Sequence, residues 1–193
     1  MMKQTFLKLK HNNQGLTIIE LLAVLGIMAV LFTFTAFSLS ITPASEAKKV
    51  VANVDAMISR TKVGSLAKTG DVYMEVHIDS KGTVSLNYYE DDVMKETEVL
   101  TTRAVEIGYL TTTGSTETIL GTNQSLVLAF DRRTTGFLTL TEAAALTAGS
   151  RGNPHTINAA TGNTYCNKIY VRGGTVEYFI EIGPTTGSHY RNV

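Results

Sequence analysis

Apolar and polar positions divide this chain into three textures. From Leu16 to Leu39, 19 of 24 residues are apolar or glycine; Thr17, Thr33, Thr35 and Ser38 are uncharged polar, and Glu20 is the only charge. As a helix the run is about 36 Å long, at about 1.5 Å per residue. A bilayer's hydrocarbon core is about 30 Å thick, so the run predicts a transmembrane helix. It is too long for the apolar region of a secretory signal, and no small-x-small cleavage site follows it.

Helical spacing continues in a second texture. Thr42-Pro43 predicts an interruption, because proline removes a helix hydrogen bond, and Ser45 can cap a restart. Beyond it Ala47, Val51, Val54, Ile58 and Thr61 recur on one face, widened by Val50 and Met57, with Lys49, Asn53 and Arg60 opposite. That is an amphipathic helix with one face on a core. Lys68-Thr69-Gly70 predicts its end.

Two-residue alternation then takes over. Val72, Met74, Val76 and Ile78 alternate with Tyr73, Glu75 and His77, and Val84, Leu86 and Tyr88 resume the pattern after Ser80-Lys81-Gly82. This predicts a hairpin with His77 on a solvated face. Residues 90–98 are acidic and read as a loop, and Ala104–Leu110 as a strand. Thr111–Thr118 reads as a Thr/Gly/Ser loop that exposure makes a candidate for partner contacts. Ser125–Phe130 and Phe137–Leu140 read as paired strands around the Asp131–Gly136 turn. Glu142–Leu146 reads as one helical turn and Gly149–Asn163 as irregular. Lys168–Arg172 and Val176–Ile182 form a last hairpin about Gly173-Gly174, and Gly183–Val193 is a polar tail. The predicted fold class is α+β: a long amino-terminal helix, transmembrane in its first half, packed on one antiparallel sheet. The organisation is a leader (1–15), a transmembrane or assembly helix (16–41), its amphipathic continuation (44–69) and a globular antiparallel β domain (70–193).

Charge sets the orientation. Residues 1–15 carry Lys3, Lys8, Lys10 and His11 and no acid. Positive charge beside a span stays cytoplasmic, so the carboxyl-terminal part faces outward. A carboxylate inside an apolar run is costly and usually has a partner. Cutting after Gly15 would create one for Glu20: the new α-amino group of Leu16, on the same chain or on a neighbouring copy.

The stretch Gly15-Leu-Thr-Ile-Ile-Glu20-Leu-Leu-Ala-Val-Leu-Gly-Ile-Met-Ala-Val30 resembles the class III signal of type IV prepilins and pseudopilins. The resemblance implies cleavage after Gly15 by prepilin peptidase, N-methylation of Leu16, and a role for Glu20 in subunit registration. Leu16 departs from the commoner phenylalanine at the first mature position. The implied partners are other pilin or pseudopilin subunits, an assembly platform protein with its ATPase, and membrane lipid. Leu126-Val-Leu-Ala-Phe-Asp131-Arg-Arg-Thr-Thr-Gly136, followed by the 169–182 hairpin, is similar to the carboxyl half of H-type pseudopilins and related minor pilins. The fold expected from the resemblance is pilin-like. The function expected is a structural subunit, a minor pilin or pseudopilin, of a type IV pilus, type II secretion or competence filament. It would sit in the cytoplasmic membrane and then in an extracellular or periplasmic filament. The alternative is a pilus-tip binding module, an adhesin or DNA receptor, using the β domain.

Composition narrows the chemistry. Removing the leader leaves 14 Lys and Arg against 17 Asp and Glu, which disfavours a general nucleic-acid surface. Arg132-Arg133, Arg172, His189 and Arg191 are the candidates for phosphate contacts. Cys166 is the single cysteine, so an intrachain disulfide is excluded, and it reads as a small buried residue. Glu90-Asp91-Asp92 lacks the alternating spacing and glycine of a calcium loop and reads as a solvated turn. Asn123-Gln-Ser125 fits a glycosylation sequon. His-Glu-x-x-His, Gly-x-Ser-x-Gly, Walker-type glycine loops and Cys-x-x-Cys are all absent. The chain reads as a non-enzyme with no cofactor and no metal.

Overall fold

The computed structural model describes residues 17–101, 105–147 and 159–192, with backbone alone for 33–42. The elements run α1 (Ile18–Ala67), β1 (Val72–Ile78), β2 (Val84–Glu90), β3 (Val93–Thr101), β4 (Glu106–Thr111), β5 (Thr118–Ile119), β6 (Gln124–Ala129), α2 (Leu140–Thr147), β7 (Cys166–Gly173), β8 (Val176–Gly183) and β9 (Ser188–Asn192). The strands form two antiparallel sheets, ordered β3-β2-β1-β6 and β5-β4-β7-β8-β9. The chain divides between Leu39 and Ser40 into two compact units.

Two parts of the expected fold class are corrected here. There are two sheets, not one. Among the described residues, moreover, no helix is long and apolar enough to cross a membrane. Glu20 sits in the first turn of α1, and beyond Pro43 the helix carries Glu46, Lys48 and Lys49.

In the second unit, α1 packs on both sheets. Ala47, Val50, Val51, Val54, Met57 and Ile58 are buried with Val76 and Leu86 of one sheet and Ile169, Val171 and Ile180 of the other. One flank of the helix meets β3: Asn53 Nδ2 donates to Glu98 Oε1 at 2.6 Å, and Arg60 pairs with Glu96. The other flank meets β9 and its turn: Ser59 Oγ lies 2.9 Å from His189 Nε2, and Lys62 Nζ donates to the Gly187 carbonyl at 2.8 Å. Charged and polar positions beside the apolar stripe thus fasten one strand of each sheet to the helix.

Several local expectations also change. The helix runs through Pro43. Proline removes a single helix hydrogen bond, and the turns on either side keep theirs. The acidic segment 90–98 is largely β3, because Glu96 and Glu98 find partners on α1. In the expected returning strand, Phe137 makes only an isolated bridge to Phe130, with ring centroids 4.1 Å apart. The chain then enters α2 through a capping box. Thr139 N and Oγ1 donate to Glu142 Oε2 at 2.9 and 2.8 Å, and Glu142 N donates back to Thr139 Oγ1 at 3.2 Å. The expected polar tail carries β9. The irregular segment expected at Gly149–Asn163 lies mostly outside the described residues.

Turn and cap carboxylates tie stability to pH. Asp79 accepts Thr83 N at 2.7 Å and Lys81 N at 2.8 Å. Asp131 accepts Arg133 N at 2.8 Å. Backbone hydrogen bonds hold Asp79, Asp131 and Glu142 below the ordinary carboxylate range. A pKa lowered by folding stabilises the fold fully above the unfolded value, and the gain disappears as pH falls through the folded value. The thermal midpoint is therefore expected to drop steadily below about pH 4.5. A midpoint unchanged from pH 5 to pH 3 would contradict this.

Candidate functional site

Helix α1 begins with a second capping box. Thr17 N and Oγ1 each donate to Glu20 Oε2 at 2.9 Å, and Glu20 N donates back to Thr17 Oγ1 at 3.4 Å. Glu20 therefore closes the first turn, satisfying an amide that has no partner within the helix. All of these contacts use Oε2. Oε1 has no hydrogen bond among the described residues. Gly15 and Leu16, the other two expected site residues, lie outside them.

Past the cap, the helix is apolar on every side as far as Phe32, and most of these side chains are exposed. Ile18 and Ile19 are 81% and 76% exposed, and Phe32 is 71% exposed. Leu21, Leu22, Leu25, Ile27, Met28 and Leu31 are each at least half exposed. A helix without a polar face has no orientation in which water solvates one side and a core receives the other. Each of these side chains forgoes part of the roughly 1.5–3 kcal/mol that full burial of an exposed side chain supplies.

The other sequence candidates resolve into structural roles. Arg132 donates to the carbonyls of Ser65 and Thr69, at 2.9 and 2.8 Å, and to that of Gly70, capping the end of α1. Arg172 reaches three carboxylates, Glu106, Glu117 and Glu177, at 2.7, 2.6 and 2.6 Å. These bonds raise its pKa further, and its guanidinium stacks 4.3 Å from the Tyr170 ring centroid. Neither arginine offers an uncommitted cation to a phosphate, whereas Arg133 and Arg191 are exposed. Asp91 and Asp92 form the β2–β3 turn with φ of 50° and 62°, and Asp91 Oδ1 accepts Asp71 N at 3.1 Å. No cluster of three metal-ligating side chains occurs among the described residues. Cys166 is buried, and burial pushes its thiol up to about 12. Asn123 sits in an exposed turn with φ 58°, while Ser125 of its sequon is fully buried. His11 and His155 lie outside the described residues.

One constellation escaped the sequence reading. Glu75 is fully buried in β1, and its carboxyl accepts three hydrogen bonds. Asn87 Nδ2 and Tyr89 OH donate to Oε2 at 2.9 Å each, and Ser125 Oγ donates to Oε1 at 2.6 Å. His77 Nδ1 lies 2.9 Å from Ser125 Oγ. The expectation of a solvated face at His77 is thus corrected. Tyr73, Tyr89, Val127 and Ala129 continue that face, and Ala143 and Leu146 of α2 and Ala159 cover it. Ser, His and Glu here are sealed from solvent, with the serine hydroxyl donating to the acid, so the cluster holds the sheet together and presents no nucleophile to a substrate.

No family model matches the chain, and no curated protein and no solved structure gave a match to it.

Proposed function

We propose that the chain is a structural subunit, a minor pilin or pseudopilin, of a type IV pilus, type II secretion or competence filament. In this reading prepilin peptidase cuts the Gly15–Leu16 bond and Leu16 is methylated. The observation that carries the proposal is the exposed stretch Ile18–Phe32, apolar but for Glu20, whose first three residues complete the Gly15-Leu16-Thr17-Ile18-Ile19-Glu20 signal. Equivalent helices of other copies would cover it, and the buried area would drive assembly. Before assembly, lipid of the cytoplasmic membrane would shield the same surface, with the leader on the cytoplasmic side. An assembly platform protein and its ATPase would then pass subunits into an extracellular or periplasmic filament.

Glu20 takes a specific part. Its Oε2 is committed to Thr17, which leaves Oε1 for the Leu16 amine of a neighbouring copy. An amine and a carboxyl in an apolar core each carry a large penalty alone and a small one together, so the pair fixes axial register. The proposal assigns the chain no catalytic step.

Intact mass and amino-terminal sequencing of the protein from its native membrane test this reading. The expected product starts at Leu16 and carries one added methyl group. Gly15→Ala is expected to leave the uncleaved precursor. A wild-type chain still starting at Met1 or Met2, or a Gly15→Ala chain processed normally, would overturn it.

A further inference from the structure

We propose that the outer face of the β7–β8–β9 sheet carries a binding site for a neutral saccharide. Lys168, Glu181 and Tyr190 are direct cross-strand partners, so their side chains stand in one row on one face of three adjacent strands. Together with Gly183 and Ser188, the next cross-strand pair on the same face, they line a groove of about 410 Å³, within the usual range for small-molecule sites.

The row is built unlike the rest of the sheets. Tyr73, Tyr89 and Tyr170, on other strands, are fully buried, whereas Tyr190 is 57% exposed and presents its ring to solvent. Glu181 faces Lys168 across β7 and β8, yet the two form no ion pair. The Lys168 ammonium instead lies 3.6 Å from the Phe179 ring centroid. The exposed Glu181 carboxylate therefore keeps its acceptor sites.

Charge balance decides the ligand class. A cation drawn to Glu181 and the Tyr190 ring meets the Lys168 ammonium. An anion drawn to Lys168 meets the Glu181 carboxylate. A neutral polyol meets neither penalty. Its adjacent hydroxyls can donate to Glu181 and accept from Lys168, while its apolar C–H face lies on the Tyr190 ring. Because the groove is open to water, affinity is expected on the order of millimolar. The site lies wholly in the unit that begins at Ser40, so it stands or falls independently of the filament reading.

The test is saturation-transfer difference NMR on the full chain in a sugar-free amine-oxide detergent. The probes are neutral hexoses and N-acetylhexosamines, with choline as the cationic and acetate as the anionic comparison. Saturation is expected to reach the C–H protons of at least one saccharide and neither charged probe. Tyr190→Ala is expected to weaken that saccharide about tenfold, and Glu181→Gln several-fold, with the far-UV circular dichroism of each variant unchanged. Should Tyr190→Ala lose the native spectrum, Glu181→Gln decides alone. No transfer to any saccharide, transfer unaltered in the folded variants, or a preference for choline or acetate would overturn the proposal.

Discussion

Replacing Glu75 by alanine is expected to destabilise the chain by about 3–5 kcal/mol, the range for removing one partner from a buried polar network. Glu75 is fully buried, and its three donors, Asn87 Nδ2, Tyr89 OH and Ser125 Oγ, come from two other strands of its sheet. Without the carboxyl, each donor loses an acceptor in a place that water reaches poorly. Glu75→Gln keeps the volume and one acceptor oxygen, and the two hydroxyls can turn to accept from the new amide, so about 1–2 kcal/mol is expected. Urea unfolding of both variants measures the difference. The sign is set by donor satisfaction: if alanine costs no more than glutamine, the network contributes packing alone.

That network marks the limit of what the alternating pattern conveys. Strand β1 reads correctly from Val72, Met74, Val76 and Ile78, whose side chains enter the main core. The pattern also implies that Tyr73, Glu75 and His77 face water, because charged residues at alternate positions normally do. What reverses this is a second, thin layer. Helix α2 supplies Ala143 and Leu146, and Ala159 arrives from far along the chain. Neither segment is apolar enough to announce a layer. A buried glutamate betrays itself only through partners that pairing brings alongside: Asn87 stands opposite Glu75, and Ser125 stands opposite His77.

Strand β3 failed for a related reason. Its glutamates suggested a loop, since isolated acids avoid strands, but Arg60 and Asn53 on α1 meet Glu96 and Glu98. Both helix residues lie on the polar face that the helical spacing predicts, and only tertiary structure shows that a strand lies beside that face. The end of α1 and the last hairpin were legible because glycines punctuate them: Gly70 follows α1, and Gly174 takes φ 66° in the β7–β8 turn. In the candidate site, Glu20 was legible as a charge in an apolar run. Its capping role is also written in Thr17-Ile18-Ile19-Glu20, the same Thr-x-x-Glu spacing as Thr139–Glu142.

Gly173→Ala is the second substitution expected to have a large effect, with a loss of about 2–3 kcal/mol, at the upper end for inserting one methyl into a packed site. A Cβ on Gly173 would collide with the carbonyl oxygen of Pro43 and would come within 2.9 Å of Ala47 Cβ. Both obstacles sit on α1, and a helix carbonyl cannot swing aside as a side chain does. The methyl can be accommodated only by moving β7 away from the helix, which would loosen contacts of Val50 and Val171 in the same core. Gly82 gives the comparison. It has a φ of 78° and open space around it, so Gly82→Ala bears only backbone strain, about 1–2 kcal/mol. If close approach to the helix governs position 173, thermal melts should rank Gly173→Ala below Gly82→Ala although Gly82 has the less favourable backbone. The reverse order would mean that strand β7 and helix α1 can separate by a methyl's width at little cost, and that the packing between them is looser than the buried residues around it imply.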